Sequence, residues 1–463
     1  MANILLANLY KAQRNYQIAP PLGLLYLAAV LRNAGHEVRV LDLRARQEAL
    51  ALHLEEITAF APDVVGLSAV ILEAAVLRET VTLLKSHVPM ARIVVGGPYA
   101  HSSMLDVLRV PGVDAVVRGE GELVLPPLVA AWESDVEHLE LPGVGYPGGS
   151  AGQHPEPVTD LDALPWPAWD LAPMELYHEQ PRHGYLYKHK RYYSVSSSRG
   201  CPFKCAFCQN VLGRKYRVRQ AEAVVEEITR LYEKYMVREI HFIDDCFNLD
   251  LDRAKRICEL LIARNMDLAI TFPVGLRADR MDRELIDLLA RAGCFKIPYG
   301  IETASPRLQR ALNKNVNFAK LEMVIDYTVQ KGMMAQGFFI LGLPDETEEE
   351  ARQTVDYALK SKLTFITFNL LNVLPGTPLW ETAAQRGLVQ DFHPEEVDYD
   401  NPPIHMATAS RATLKKMMRR VHLRFYLHPF RLWRIWRRLP HKKHFFGFLG
   451  LFWGKLTWLR GDH

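Results

Sequence analysis

The stretch Cys201-Pro-Phe-Lys-Cys205-Ala-Phe-Cys208 places three cysteines within eight residues, in the spacing C-x3-C-x2-C. A loop this tight directs three thiolates toward one point. A closed tetrahedral zinc site and a fully ligated iron–sulfur cluster both need four ligands, one more than the motif supplies. Three cysteines can instead hold a four-iron cluster and leave one iron open for a further ligand. The alternatives are a surface loop with incidental cysteines and a zinc knuckle without its fourth ligand.

The cysteine spacing, the Ser-Arg-Gly at 198–200 and the aromatic Phe207 resemble the cluster loop of the radical S-adenosylmethionine superfamily. The resemblance implies a 4Fe–4S cluster held by the three catalytic cysteines, Cys201, Cys205 and Cys208, with Phe207 beside the cofactors. In that family the open iron binds S-adenosylmethionine, and an electron from the cluster breaks the sulfonium bond to give a 5′-deoxyadenosyl radical. The resemblance also implies an electron donor such as flavodoxin or ferredoxin as a partner.

The composition is that of an ordinary globular protein, with 49% hydrophobic and 24% charged residues, and 463 residues suffice for two or three domains. We expect no signal peptide, because Met1 leads directly into the strand-like segment 3–7. Three of the six cysteines belong to the motif, so we expect no disulfide framework. Cys246, Cys258 and Cys294 are interpreted as small buried apolar side chains within strands and helices. Free thiols and an oxygen-sensitive cluster predict a cytoplasmic protein.

Charge is distributed unevenly along the chain. The segment from Arg411 onward holds 14 Lys or Arg and one acid, Asp462, which leaves 42 bases and 52 acids in residues 1–410, a net charge of −10. An acidic body argues against a broad electrostatic footprint on nucleic acid. We therefore expect no nucleic-acid partner.

Residues 1–133 alternate short apolar runs with segments of helical periodicity. Continuous apolar strands between helices predict an α/β domain with a doubly wound, Rossmann-like parallel sheet, whose ligands lie at the carboxyl ends of its strands. The predicted strands are 4–7, 38–41, 64–68, 93–97 and 114–117, and the predicted helices are 22–32, 47–60 and 74–87. No G-x-G-x-x-G follows the first strand, which argues against a nicotinamide cofactor.

Four short motifs in this domain resemble those of the cobalamin-binding domain fused ahead of many radical S-adenosylmethionine cores: PPLGL at 20–24, GLS at 66–68, GGP at 96–98 and GEGE at 119–122. The resemblance implies that cobalamin is bound by Ser68, Gly96, Gly97 and Glu120. Glycine lets the backbone approach a bulky ligand closely. The loop Asn8–Pro20 contains no D-x-H-x-x-G, so a histidine lower ligand from it is not expected. A Rossmann-like domain that has lost its ligand is the alternative.

Residues 134–190 are interrupted by proline and glycine and are interpreted as a linker. Its aromatic, proline-rich part, Leu164–Asp170, contains Trp166 and Trp169. We interpret this part as a connector that crosses between two domains without a role in the active site. The alternative is that one of the tryptophans walls the cofactor.

Residues 191–375 show six strand–helix repeats, which predict a partial (β/α)6 barrel with its active site at the carboxyl ends of the strands. Polar side chains follow three of those strands: Asp244 and Asp245 the second, Arg277 the third and Glu302 the fourth. The resemblance implies that these residues bind S-adenosylmethionine. Helix capping and surface roles are the alternatives, because strand-end acids often cap the following helix.

Residues 376–463 are expected to form a helical, basic and aromatic C-terminal region. Arg431–Arg438 alternates bases with aromatic side chains, and the apolar run 445–459 is too short to span a bilayer. Bases beside Trp and Phe suit a peripheral helix at the inner face of an anionic membrane. A terminal helical cap packed on the barrel is the alternative.

The resemblance as a whole implies a cobalamin-dependent radical S-adenosylmethionine enzyme. In methylating members the radical abstracts a hydrogen from an unactivated carbon, and methylcobalamin delivers the methyl group. The substrate is expected to be a small molecule or, if the tail meets a membrane, a lipid or isoprenoid. Cyclising or ring-rearranging enzymes that use cobalamin without methyl transfer are the alternative among enzymes. A non-catalytic cobalamin or iron–sulfur sensor is the alternative from another class.

Overall fold

The computed structural model describes residues 1–12, 19–149, 153–180 and 186–445. These residues form two six-stranded sheets, a two-stranded ribbon and surrounding helices, which confirms the predicted α/β fold. The first sheet belongs to the N-terminal domain and the second to the barrel. The apolar run predicted at 445–459 lies outside the described residues after Phe445.

The N-terminal sheet has the strand order β2-β1-β3-β4-β5-β6. Its strands are β1 (Asn3–Asn8), β2 (Glu37–Asp42), β3 (Val64–Ser68), β4 (Arg92–Gly96), β5 (Ala115–Val117) and β6 (Val144–Gly145). The first five are parallel, and β6 pairs with β5 in the antiparallel direction. Because β6 comes from the segment interpreted as linker, the sheet continues beyond residue 133.

Helices cover both faces of this sheet, as the continuous apolar strands require. They are α1 (Leu22–Asn33), α2 (Leu43–Arg46), α3 (Leu54–Phe60), α4 (Ala74–His87), α5 (Gly97–Ser102), α6 (Met104–Leu108) and α7 (Leu125–Glu133). The single helix predicted at 47–60 is wrong. The side chain of Asp42 caps α2, Gln47 ends it in the left-handed conformation (φ 56°), and a 3-10 turn at Leu50–His53 precedes α3.

The second sheet is a partial barrel of six parallel strands, in the order β14-β13-β12-β11-β10-β7. Its strands are β7 (Tyr192–Val195), β10 (Glu239–Phe242), β11 (Ala269–Thr271), β12 (Cys294–Glu302), β13 (Met334–Leu341) and β14 (Phe365–Leu370). The ribbon pairs β8 (Ser198–Arg199) with β9 (Arg217–Val218) in the antiparallel direction. The six predicted repeats are confirmed.

Among the described residues, the linker contributes one helix, six helices accompany the barrel strands, and one further helix follows. They are α8 (Met174–Glu179), α9 (Ala221–Lys234), α10 (Leu251–Arg264), α11 (Arg283–Arg291), α12 (Pro306–Ala311), α13 (Phe318–Gln330), α14 (Glu348–Lys360) and α15 (Pro378–Gln385). A threonine–glutamate capping box begins α14, where Thr347 and Glu350 exchange hydrogen bonds with each other's backbone.

The C-terminal helices α16 (Arg411–Tyr426) and α17 (Pro429–Arg438) pack on the barrel. Leu414, Met418, Val421 and Phe425 recur at the spacing of one helix face and join the same apolar core as the barrel strands. The hydroxyl of Tyr426 accepts the Ile366 amide and donates to the Ile366 carbonyl, both at 2.9 Å. It thereby engages the free edge of β14.

Three arginines of α17 donate to backbone carbonyls of the barrel, whereas Arg437 is exposed. Arg431 donates to the Ser361 carbonyl at 3.0 Å, and Arg434 donates to the Leu363 carbonyl at 2.7 Å. Arg438 likewise donates to a backbone carbonyl, that of Val329, at 2.8 Å. In the described part of the tail these bases therefore cap the barrel. None of the helices in the described ranges is long and apolar enough to cross a membrane.

Phe425 and Phe430 provide a test of the packing of the tail. Phe425 is fully buried, whereas Phe430 is 61% exposed. We expect Phe425→Ala to lower the free energy of unfolding by about 3–5 kcal/mol, because it leaves a cavity in the barrel core. Phe430→Ala is the matched control and should change it by less than about 0.5 kcal/mol. Urea titration followed by circular dichroism measures both, and similar losses for both variants would contradict the packing described.

Candidate functional site

The cluster loop runs from Gly200 to Tyr216 and is closed at its base by the β8–β9 ribbon. Gly200 adopts a positive φ of 82°, and a Cβ there would collide with the Lys215 carbonyl. The Cys201 amide donates to the Gly213 carbonyl at 3.1 Å. Only glycine allows the chain to turn this closely back on itself, so the motif needs the glycine that precedes its first cysteine.

The three motif cysteines lie on this loop, with Cys205 buried and Cys208 exposed. Cys258 and Cys294 are buried in the barrel core, as predicted. Cys246 is buried too, but it lies in the turn after β10 rather than in a strand or helix. Its hydrogen bond to Cys201 lowers the pKa of the Cys201 thiol to about 6. Cys246 is therefore a member of the site that the sequence interpretation missed, although its position just after Asp244-Asp245 was a signal.

Asp244 and Asp245 follow β10 and hold the base of the cluster loop. Asp244 accepts the Ser197 amide at 3.1 Å, the Ser197 hydroxyl at 2.7 Å and the Ser198 hydroxyl at 2.5 Å. Asp245 accepts the Gly200 amide at 3.2 Å. Burial raises the pKa of Asp245. Both carboxylates thus reach the loop, and the oxygen of Asp244 that receives these bonds is occupied by protein donors.

Arg277 and Glu302 meet the loop from the next two strand ends. The Arg277 guanidinium lies 3.5 Å from the ring centre of Phe203 and forms a bidentate pair with Asp279 at 2.9 and 3.0 Å. Glu302 takes a left-handed φ of 66° and accepts from Lys314 at 3.0 Å.

Lys314 was not anticipated from the sequence. Its ammonium lies 6.0 Å from the ring centre of Phe207, a residue of the cysteine motif. The pKa of Lys314 is raised despite a large opposing effect of burial, because the carboxylate of Glu302 stabilises the ammonium. Lys314 therefore connects Glu302 to the cluster loop.

A cavity of about 250 Å³ lies between the two domains. Ser68, Gly96 and Gly97 line it from the carboxyl ends of β3 and β4. A Cβ at Gly97, whose φ is 88°, would lie 2.9 Å from both the Ser68 hydroxyl and the Ala69 carbonyl. From the barrel side the cavity is lined by Ser196, Arg199, Leu212 and Ile243. The predicted residues of the first domain are therefore brought together.

Glu120 also lines this cavity, but its carboxylate pairs with two arginines of the ribbon. Its oxygens lie 2.6 Å from Arg217 and 3.3 Å from Arg199. Glu122 pairs with Arg199 at 2.8 Å. All four side chains are buried. The sequence identified Glu120 through its motif and missed its partners, which belong to the other domain.

The two tryptophans of the linker line a different cavity, of about 210 Å³, beside α1 and α9. The Arg230 guanidinium lies 4.6 Å from the ring centre of Trp166, and the Trp169 ring packs 4.6 Å from that of Tyr193. Neither tryptophan lines the cavity that contains Ser68 and Gly97. Their position favours the interpretation of this segment as a connector.

Comparison with known proteins identifies both domains. A model described as the Radical SAM superfamily matches residues 195–358, and a model described as a B12 binding domain matches residues 13–129. The uncharacterized methyltransferase PH0819 of Pyrococcus horikoshii is 30% identical over 416 residues, which cover 89% of this chain and 88% of the relative. The anaerobic magnesium-protoporphyrin IX monomethyl ester cyclase of Cereibacter sphaeroides is 28% identical over 423 residues, which cover 88% of this chain and 67% of the relative.

A solved structure shares the fold. The radical S-adenosylmethionine methyltransferase TsrM of Kitasatospora setae matches with a TM-score of 0.70 at 24% identity, covering 84% of this chain and 77% of that chain. The matches define an enzyme built from a B12-binding domain and a radical S-adenosylmethionine barrel. The chain belongs to the radical S-adenosylmethionine superfamily. Its cofactors are a 4Fe–4S cluster, S-adenosylmethionine and cobalamin, as predicted.

The residues present fit these cofactors. Three thiols on one loop are the donor set of an iron–sulfur cluster with one open iron. Across the described ranges, no group of three or more His, Cys, Asp or Glu is arranged so that it could hold a single metal ion. A Cβ at Gly97 would collide with Ser68 and Ala69, so bare backbone borders the cavity there, which suits close approach of a bulky ligand.

Each motif cysteine is expected to be required for the cluster. After anaerobic reconstitution, the wild type should carry about four irons per chain. Cys201→Ala, Cys205→Ala and Cys208→Ala should lose the cluster together with cleavage of S-adenosylmethionine, because each removes one of three ligands. Cys294→Ala, in the barrel core, is the matched control and should retain both. Iron and sulfide analysis measures the first property, and full cleavage by Cys205→Ala would refute the assignment.

Proposed function

We propose that this enzyme is a cobalamin-dependent methyltransferase that acts on an unactivated carbon. The observation that supports it most is the shared wall between the two cofactor sites. Arg199, two residues before the first cluster cysteine, lines the same cavity as Ser68 and Gly97 of the B12-binding domain. When bound, the cofactors supply a 5′-deoxyadenosyl radical and a transferable methyl group. The chain's own residues hold both cofactors against one cleft, where a substrate carbon can meet each of them.

We assign the binding of S-adenosylmethionine to the strand-end residues around the cluster loop. Arg277 presents a guanidinium that suits the carboxylate of the ligand. Asp245 and Glu302 present carboxylates that suit its amino group and ribose, and Phe207 provides an aromatic surface. Asp244 contributes differently, because its bonds to Ser197 and Ser198 make it a residue that positions the loop.

We assign the binding of cobalamin to the cavity between the domains. Ser68 offers a hydroxyl at the end of β3, and Gly96 and Gly97 leave the end of β4 open for a bulky ligand. Glu120 contributes its backbone and the rigid placement of its loop, since its carboxylate is paired with Arg217 and Arg199. No histidine is among the described residues that line this cavity.

A second candidate is a radical cyclase that uses cobalamin without transferring a methyl group. The relative from Cereibacter sphaeroides is named a cyclase, and it aligns with 88% of this chain. PH0819, by contrast, is named a methyltransferase and is the more similar of the two in identity. The methyltransferase is therefore the first candidate.

Products derived from S-adenosylmethionine distinguish the candidates. The reduced holoenzyme is incubated with S-adenosylmethionine carrying a deuterated methyl group and with a cytoplasmic metabolite extract. A methyltransferase should form S-adenosylhomocysteine and 5′-deoxyadenosine in similar amounts and should transfer the labelled methyl group to one extract component. A cyclase should form 5′-deoxyadenosine without labelled product. Mass spectrometry measures all three species, and label transfer by Cys208→Ala at the wild-type rate would sink the proposal.

The partners of the enzyme are proposed from the same chemistry. A reduced flavodoxin or ferredoxin is the expected electron donor, because the cluster must be reduced before S-adenosylmethionine is cleaved. The cytoplasm is the expected compartment, because it keeps the thiols reduced. The substrate is proposed to be a small molecule or a lipid. The exposed face of the tail is the observation that favours a lipid.

An exposed aromatic stripe supports association of the tail with the inner face of an anionic membrane. Phe430, Trp433 and Trp436 of α17 are 61%, 51% and 39% exposed. Arg437 is exposed beside them. Aromatic rings next to bases suit the interface of an anionic bilayer. The arginines that cap the barrel are not available to bind anionic lipid, so the aromatic stripe provides most of the proposed affinity for the membrane. An apolar substrate such as an isoprenoid would be bound at that surface.

Flotation with anionic liposomes tests this association. The wild type should float at low salt and partly at high salt, because apolar insertion is not screened. The triple variant Phe430→Ser/Trp433→Ser/Trp436→Ser should lose most of the flotation at both salt concentrations. The matched control is Leu52→Ser/Met90→Ser, which removes exposed apolar side chains of the N-terminal domain and should float like the wild type. Absence of flotation by the wild type, or equal flotation by the triple variant, would mean that the stripe does not bind membranes.

A further inference from the structure

Four buried charged side chains join the two domains, and we refer to them as the interdomain clamp: Glu120, Glu122, Arg199 and Arg217. None is more than 7% exposed. Their ion pairs measure 2.6 Å for Glu120–Arg217, 2.8 Å for Glu122–Arg199 and 3.3 Å for Glu120–Arg199. Buried charges are tolerated only when they are paired, so each domain completes the charge balance of the other.

The arginines of the clamp control the base of the cluster loop. Arg199 and Arg217 are partners in register across the β8–β9 ribbon, which closes that loop. Arg199 is two residues before Cys201, and the Cys201 amide is fixed to the Gly213 carbonyl. Arg217 also donates to the Leu212 carbonyl at 2.8 Å, inside the loop. A displacement of either arginine therefore moves the segment that carries the cluster ligands.

The carboxylates of the clamp belong to the opposite site. Glu120 and Glu122, together with the flanking Gly119 and Gly121, line the interdomain cavity, and Arg199 lines it from the other side. A bulky ligand in this cavity therefore fixes the loop 119–122 against the ribbon. The same ion pairs hold one wall of the cobalamin cavity and the base of the cluster loop.

We infer that the interdomain clamp couples the binding of cobalamin to the assembly of the cluster. Its four members act as positioning residues: a cluster that fixes the ribbon preforms the cavity wall, and bound cobalamin preforms the cluster loop. The coupling is reciprocal by thermodynamic linkage. The inference rests on the placement of cobalamin in the interdomain cavity, which is part of the function proposed above.

The coupling is measured as the difference between two dissociation constants. Hydroxocobalamin binding is followed by quenching of tryptophan fluorescence, once with full-length protein free of cluster and once with the anaerobically reconstituted protein. The reconstituted protein should bind at least about fivefold more tightly, the lower end of typical coupling between sites. Reciprocally, bound hydroxocobalamin should slow the loss of cluster iron to a chelator.

Glu122→Gln keeps the shape of the side chain and removes the charge that faces Arg199. In this variant the two dissociation constants should agree within about twofold, while each cofactor still binds. Glu120→Gln is a second variant in which the two dissociation constants should also agree within about twofold. The matched control is Glu395→Gln, which removes the charge of an exposed pair, Arg78–Glu395 at 2.7 Å, between the N-terminal domain and the C-terminal region. It should retain the wild-type difference.

The possible results distinguish a failure of the proposed coupling from a failure of the proposed function. Equal dissociation constants in the wild type overturn the coupling while cobalamin binding stands, and this result needs no variant to fold. An undiminished difference in both Glu→Gln variants also overturns it, because the clamp is then not the connection. Absence of hydroxocobalamin binding in either wild-type form overturns the assignment of cobalamin to the cavity, and the coupling with it.

Discussion

Carboxylates hold the base of the cluster loop from two directions. Asp244 and Asp245 bind it from the barrel through serine and backbone donors, and Glu120 and Glu122 bind it from the N-terminal domain through arginines. All three cluster cysteines follow within nine residues of Arg199. The position of the iron site is therefore set by charges that lie far from the cysteine motif in the sequence.

Burial decides how strongly these charges act. Removing one member of a buried pair costs about 3–5 kcal/mol, because the other charge remains without compensation. An exposed pair such as Arg78–Glu395, whose side chains are 44% and 32% exposed, contributes only about 0–1 kcal/mol. Both pairs connect the N-terminal domain to the rest of the chain, but only the buried one strongly restricts their arrangement. The buried ion pairs thus restrict the arrangement of the two domains at the cleft.

The sequence was informative where chemistry or periodicity is local. The spacing within 201–208 predicted the cluster, and the alternation of apolar strands and helices predicted both sheets. Ion pairs between residues distant in sequence could not be predicted in this way. Arg199 and Glu122 are 77 residues apart, and no pattern in either segment indicates the other. Gln47 broke a predicted helix through a local backbone conformation that its residue type does not demand. From the sequence, the bases of 431–438 suited both a membrane surface and a barrel cap. The structure shows that backbone carbonyls of the barrel accept hydrogen bonds from three of them.

The hydroxyl of Tyr426 has a consequence for the open side of the barrel. A sheet of six strands that does not close leaves the backbone of its outer strands available to strands of other molecules. By occupying both the amide and the carbonyl of Ile366, Tyr426 takes the place of part of a seventh strand on β14. The helix that carries it thereby opposes edge-to-edge pairing with a strand of another molecule, and the barrel can remain incomplete on this side.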